Sequence, residues 1–259
     1  MTTLLLLLSA LAAPHYQEEF NAGVTAYESQ DFNSAIRRFE SLVAAGSAEP
    51  ELFYNLGNAY FRAGDIGAAI ANYERALQRD PRLDSAESNL RFALAATQRN
   101  LARPLRPGWQ ESLLPWDDAL RLQEVRLLAL IFWALFWGLI LWRVVRRQRY
   151  QLPIAVCAFL AAAAFMTSTY SKSYPVQLAV AREAEVPVRT GANPADTLRF
   201  TLNPGDRVLV EAENNGWLRV ATVDGERGWA DARGFVRVGP PYAPPPAAMA
   251  GNEPVSDAP

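Results

Sequence analysis

The chain has 259 residues, 50% of them hydrophobic and 20% charged, with a formal net charge of -2, which at roughly 100 to 200 residues per domain suggests one or two domains. A single cysteine, Cys157, excludes an intramolecular disulfide and zinc sites built on paired thiolates, and a single histidine, His15, excludes two-histidine metal motifs. A near-neutral total with no basic tract argues against nucleic-acid binding.

Residues 1–13 carry a leucine run, Leu4 to Leu8, followed by Ser9-Ala10-Leu11-Ala12-Ala13-Pro14. This predicts a signal peptide with an Ala-x-Ala cleavage site after Ala12, although no Lys or Arg precedes the leucines. Beyond it the chain repeats itself. Sliding residues 16–49 over 50–83 aligns Asn21 with Asn55, Gly23 with Gly57, Asp31 with Asp65, Ala35 with Ala69, Ile36 with Ile70, Phe39 with Tyr73 and Glu40 with Glu74, a period of 34.

The second copy reads Phe53-x2-Leu56-Gly57-x2-Tyr60, then Ala69-x3-Tyr73-x2-Ala76 and Pro81. It resembles the tetratricopeptide (TPR) pattern of one helix pair per repeat. Gly57 and Ala69 let the two helices approach, Tyr60 and Tyr73 fill the space beside them, and Pro81 ends the second helix. Residues 15–101 are therefore expected to form two and a half repeats, an all-α solenoid of five helices closed by Asp84 to Thr97. In the TPR family the first helix of each pair lines a concave groove for partner proteins. By resemblance those positions are Phe20, Asn21, Val24, Tyr27, Tyr54, Asn55, Asn58, Phe61, Arg62 and Asn89. Asn21, Asn55 and Asn89 recur at the repeat period, and asparagine is a poor helix former. Their amides either hydrogen-bond a ligand or tie neighbouring helices together.

Residues 102–124 form a linker, with Trp109, Leu113, Leu114, Trp116 and Asp117 marking a short interfacial segment begun at Asp117 or Asp118. Two uncharged runs follow, within 125–145 and 152–170, each close to the ~30 Å thickness of a bilayer core when helical. Cys157 lies in the second run, where it reads as a packing residue. The short connection carries Arg143, Arg146, Arg147 and Arg149, and the positive-inside rule assigns it to the cytoplasm. Both soluble regions are then extracytoplasmic, on a chain held in a cytoplasmic membrane.

From 175 to 239 the pattern becomes short β-like runs, Val176 to Val180, Glu185 to Arg189, Leu198 to Leu202, Arg207 to Glu211, Trp217 to Ala221 and Arg227 to Ala230, separated by Gly- and Asn-rich turns. Val186-Pro187-Val188-Arg189-Thr190-Gly191, Gly216-Trp217-Leu218-Arg219-Val220 and Gly225-Glu226-Arg227-Gly228-Trp229-Ala230 resemble the bacterial SH3-like domain, with Pro187 where an Asn is usual. A small all-β barrel is expected, in which Trp217 and Trp229 either close the core or offer an aromatic groove. Residues 240–259, rich in Pro and Ala, read as an extended tail.

The sequence carries no Ser-His-Asp set, P-loop or metal-ligand cluster, so no catalytic residue, cofactor or metal is assigned and a non-enzymatic interaction protein is expected. The order of signal, TPR array, transmembrane hairpin and SH3-like barrel resembles the BatE-type proteins of bacterial aerotolerance operons. That resemblance implies von Willebrand A-domain membrane partners, a MoxR-type ATPase in the same system, and a role in oxidative-stress tolerance or envelope integrity. The competing expectation is a peptidoglycan-binding module that recruits a wall enzyme.

Overall fold

The computed structural model describes residues 2–98, 114, 116, 119–146, 151–173 and 177–239. Helices α1 (Thr2–Glu28), α2 (Phe32–Ala44), α3 (Pro50–Arg62), α4 (Ile66–Arg79) and α5 (Asp84–Ala95) come first. They are followed by the long helices α6 (Leu122–Arg146) and α7 (Gln151–Ser173). Strands β1 (Leu178–Ala181), β2 (Val186–Arg189), β3 (Leu198–Leu202), β4 (Arg207–Asn214), β5 (Trp217–Ala221), β6 (Arg227–Asp231) and β7 (Phe235–Arg237) complete the chain. The anticipated tail at 240–259, the arginines Arg147 and Arg149, and Asp117 and Asp118 of the interfacial segment lie outside the described residues. The segment anticipated as a signal peptide forms the first turns of α1, continuous with the first repeat helix.

The period of 34 reappears as equivalent local chemistry. Asp31 and Asp65 cap α2 and α4, each side chain accepting the backbone N–H three residues on, from Ser34 and Ala68 at 3.0 Å. Gly64 ends the α3 region at a φ of +88°, while its equivalent Gln30 holds φ at +64°, the left-handed region a non-glycine residue enters only at a cost. Helix pairing rests on two missing side chains. A Cβ at Gly23 would lie 2.5 Å from the Phe39 ring, and one at Gly57 2.7 Å from the Tyr73 ring. Around these crossings Phe39, Leu52, Phe53, Leu56, Ala69 and Ile70 are completely buried.

The seven strands form one antiparallel sheet in the order β3-β2-β6-β5-β4-β1-β7. It is open, which corrects the expected barrel: β3 and β7 are edges and do not pair. The β7 edge is covered by α4 instead of by a strand. Arg75 donates from Nε and Nη2 to the Arg237 carbonyl at 3.0 and 2.7 Å, satisfying an edge acceptor that barrel closure would otherwise have paired. β7 was not anticipated, being only three residues long. β1 is buried along its whole length because its two faces serve different cores. Leu178 and Val180 pack with the helical repeats, while Ala179 and Ala181 pack inside the sheet with Val188, Leu218 and Phe235.

The sheet is thus docked on the outer face of α4, which is buried continuously from Gly67 to Ala76. At one end Gly67 leaves no room for a Cβ, which would fall 2.3 Å from the Ala181 carbonyl oxygen. Arg182 bonds Asp65 at 2.5 Å, and deeper in the seam Arg207 meets Glu74 at 2.8 Å with the two side chains 7% and 1% exposed.

Helices α6 and α7 contain stretches of 24 and 22 residues, Leu122–Val145 and Leu152–Ser173, long and apolar enough to cross a membrane. They pack on each other through small side chains, Ala155, Ala158 and Ala162 facing inward with Ala129, while Leu127, Leu130, Trp137, Leu141 and Trp142 are exposed. Trp116 of the linker lies 5.0 Å from the Phe165 ring of α7. The base of α6 is tied to the repeats: Arg121 binds Asp80 through Nε at 2.8 Å and through Nη2, and Arg82 pairs with Glu124.

Candidate partner-binding groove

The first helices of the pairs, α1, α3 and α5, supply the residues that the repeat pattern marks as groove-lining. Phe20 is half-buried, with its ring 5.8 Å from Tyr16 and 5.7 Å from the core ring of Phe39. Tyr27 sits edge-on to Phe32 at 5.6 Å, and Val24 packs partly on the core. On α3, the Tyr54 ring lies 6.3 Å from Tyr73.

The asparagines separate into two kinds. Asn58 Oδ1 accepts from the Tyr73 hydroxyl and from Asn89 Nδ2, both at 2.8 Å, and Asn89 Nδ2 also lies 3.4 Å from the Tyr54 hydroxyl. This half-buried network joins α3, α4 and α5. Asn55 instead donates to the Glu51 carbonyl of its own helix at 2.9 Å, and Asn21 accepts from Gln17 at 2.9 Å. Equivalent positions therefore do different work: Asn89 links helices, whereas Asn21 and Asn55 bond locally. Burial pushes the Tyr73 hydroxyl pKa well above its ordinary value, which keeps it a neutral donor to Asn58.

Arg62 is drawn out of this group. Its guanidinium stacks over the Phe32 ring at 4.9 Å, at the start of α2. Phe61 meets Phe92 at 5.5 Å, and Phe92 is 67% exposed. Tyr73 and Phe92 are the residues sequence reasoning left out. Phe92 was within reach, because Val24, Asn58 and Phe92 follow one another at the repeat period. The repeat pattern marks Tyr73 only for packing, and the hydroxyl that its equivalent Phe39 lacks meets its partner, Asn58, only in the fold.

Trp217 and Trp229 are half-buried, and neither joins the cluster of buried side chains in the sheet. Strand alternation sends Leu218, Val220 and Ala230 inward, so the tryptophans face outward. Trp229 stands opposite Arg219 and Arg189, and Trp217 opposite Asp231. A cleft of about 560 Å³ also opens at the seam, beside Asp65, Thr97, Arg182, Glu183 and Arg233. Among the described residues no group of three or more His, Cys, Asp or Glu side chains is placed to hold a metal ion.

A family model of the tetratricopeptide repeat matches residues 20–84, from the middle of α1 to the first residue of α5. A search of curated proteins returns no match. The matched stretch covers the candidate positions from Phe20 to Arg62, and such repeats imply a protein–protein interaction module.

Proposed function

We propose that the chain is a non-enzymatic adaptor anchored in a membrane, which holds a protein partner against the face formed by α1, α3 and α5. The observation that carries this is the asymmetry of the repeats. The outer face of α4 is sealed by the sheet, while Phe92, on the inner helix α5, leaves an aromatic surface exposed beside the Tyr54, Asn58 and Asn89 network. Aromatic side chains, Phe among them, are enriched at protein interfaces relative to the rest of the surface.

The topology supports the reading. Residues 65–75, before the apolar helices, contact residues 182–237, after them, so both extramembrane parts share one side of any bilayer that α6 and α7 cross. With the arginine-rich connection in the cytoplasm, that side is extracytoplasmic. The resemblance of the sequence at 175–239 to SH3-like domains, and of the whole order to BatE-type aerotolerance proteins, makes von Willebrand A-domain membrane proteins and their MoxR-type ATPase system the partners to test first.

The experiment is a pull-down of the full chain from detergent-solubilised membranes. Phe92→Ala with Tyr54→Ala should reduce recovery of the co-purifying partner by about tenfold or more, as expected for interface aromatics, with the melting temperature of the Phe92→Ala single variant unchanged. Full recovery by the double variant refutes the groove.

A second reading, in which the sheet grips peptidoglycan, is favoured by the outward placement of Trp217 and Trp229. Co-sedimentation with purified murein, lost on Trp229→Ala, is its signature.

A further inference from the structure

The repeats have a polarity that bears on the leucine-rich start of α1. Each helix pair is antiparallel, so α1, α3 and α5 run one way and α2 and α4 the other. The starts of the first set and the ends of the second meet at one end of the stack. Contacts there confirm it: Arg79, in the last turn of α4, donates to the Ala48 carbonyl in the α2–α3 connection at 3.0 Å. Tyr16, where α1 enters the stack, has its hydroxyl pKa raised to about 12 by burial and by the carboxylates of Glu49 and Glu51 at the start of α3.

That same end is fastened to the apolar hairpin. Asp80 and Arg82, just past α4, bind Arg121 and Glu124 at the base of α6. The opposite end, with Asp31 and Asp65 capping α2 and α4, faces away and touches the sheet at Arg182.

Helix α1 does not start with the stack. It begins at Thr2, so residues 2–14 continue the helix beyond the repeats on the side where α6 and α7 enter the membrane. At 1.5 Å per residue this projection is about 20 Å long, roughly two-thirds of the ~30 Å hydrocarbon core. Residues 2–14 contain no charged side chain, five consecutive leucines among them. A helix meets its own backbone hydrogen bonds and so can enter lipid without a partner.

We infer that residues 2–14 are a third bilayer-inserted segment, retained as a continuation of the first repeat helix and entering the membrane beside α6 and α7. This rests on the reading that α6 and α7 span a bilayer. Retained, the segment anchors the far side of the stack from α6, fixing the groove relative to the membrane surface at two points.

The test uses the full chain purified from membranes and returned to lipid vesicles. Intact mass should include the leucine run. In a Cys157→Ala background, a bimane fluorophore at Leu5→Cys or Leu7→Cys should be quenched by acyl-chain nitroxide lipids to the same extent as one at Leu135→Cys in α6, and one at the exposed Ser88→Cys should not. A mature chain beginning at Ala13 overturns the inference, as does quenching at positions 5 and 7 no greater than at 88. Absence of quenching at 135 instead removes the spanning reading, and this inference with it.

Discussion

Helices α2 and α4 occupy the same place in successive repeats, yet the outer face of one meets solvent and that of the other is buried under the sheet. Their inner faces match: Ala35 and Ala69, Ile36 and Ile70, Phe39 and Tyr73 all lie in one core. Their outer faces do not. Asn33, Arg37 and Arg38 of α2 are exposed, whereas the equivalent Gly67, Ala71 and Asn72 of α4 are buried under the sheet. Small side chains at 67 and 71 let a strand approach where α2 carries polar and charged ones. A repeat frame thus specifies the packing between helices, and the residues it leaves free decide whether the outer face meets water or another domain.

The largest effect expected from this comparison concerns two ion pairs. Arg207→Ala breaks the buried pair with Glu74 and should cost about 3–5 kcal/mol, whereas Arg38→Ala, removing the exposed pair with Glu19 (3.0 Å), should cost roughly 0–1 kcal/mol. Thermal melts of the full chain in detergent, followed by circular dichroism, measure both. Equal losses would show that the sheet does not seal α4.

Next comes steric docking. Gly67→Leu forces a side chain into the Ala181 backbone and should destabilise the seam by about 1–3 kcal/mol or more. Asn33→Leu, at the equivalent exposed site, should leave the melt within roughly 0.5 kcal/mol of the parent. Limited proteolysis between the sheet and α7 should accelerate only in the first variant.

The two inter-helix turns offer a smaller pair of opposite sign. Gln30→Gly relieves a left-handed backbone and should stabilise by roughly 0.5–1 kcal/mol, while Gly64→Ala introduces the same strain and should cost about 1–2 kcal/mol. Chemical denaturation midpoints would resolve the two directions, and a shift of the same sign in both would contradict the repeat equivalence of these turns.

The smallest effect is a pH dependence at Glu40, whose carboxyl is pushed above its ordinary range by burial, against the opposing hydrogen bond from Tyr60. A raised acid pKa means the folded state holds the proton more tightly than the unfolded chain. Stability from this group is therefore greatest below the unfolded value near 4.5 and declines as pH rises towards the raised one. Glu40→Gln keeps an acceptor for Tyr60 and should flatten that part of the stability profile. An unchanged slope would place the pH sensitivity elsewhere.

What the sequence determined by itself was whatever depends on local periodicity. The recurrence of Gly23 and Gly57, of Asp31 and Asp65, and of Phe39 and Tyr73 is enough to read helix pairs, because each contact lies within one repeat or between neighbours. The uncharged runs of α6 and α7 are legible for a similar reason, since length and composition alone set their suitability for a bilayer. Six of the seven strands were also visible as short runs between turns.

Tertiary structure decided the rest. The burial of α4, the covering of the β7 edge by Arg75, and the open sheet all depend on residues more than a hundred positions apart meeting across the apolar hairpin. The outward turn of Trp217 and Trp229 depends on strand register, which a one-residue slip would reverse. The division of the asparagines into an inter-helix link at Asn89 and local bonds at Asn21 and Asn55 follows from the partner each one meets: the Asn58 amide and the Tyr54 hydroxyl in one case, and Gln17 and the Glu51 carbonyl of their own helices in the others. Periodicity reports which positions are equivalent, but the neighbour that each one meets is a property of the assembled stack.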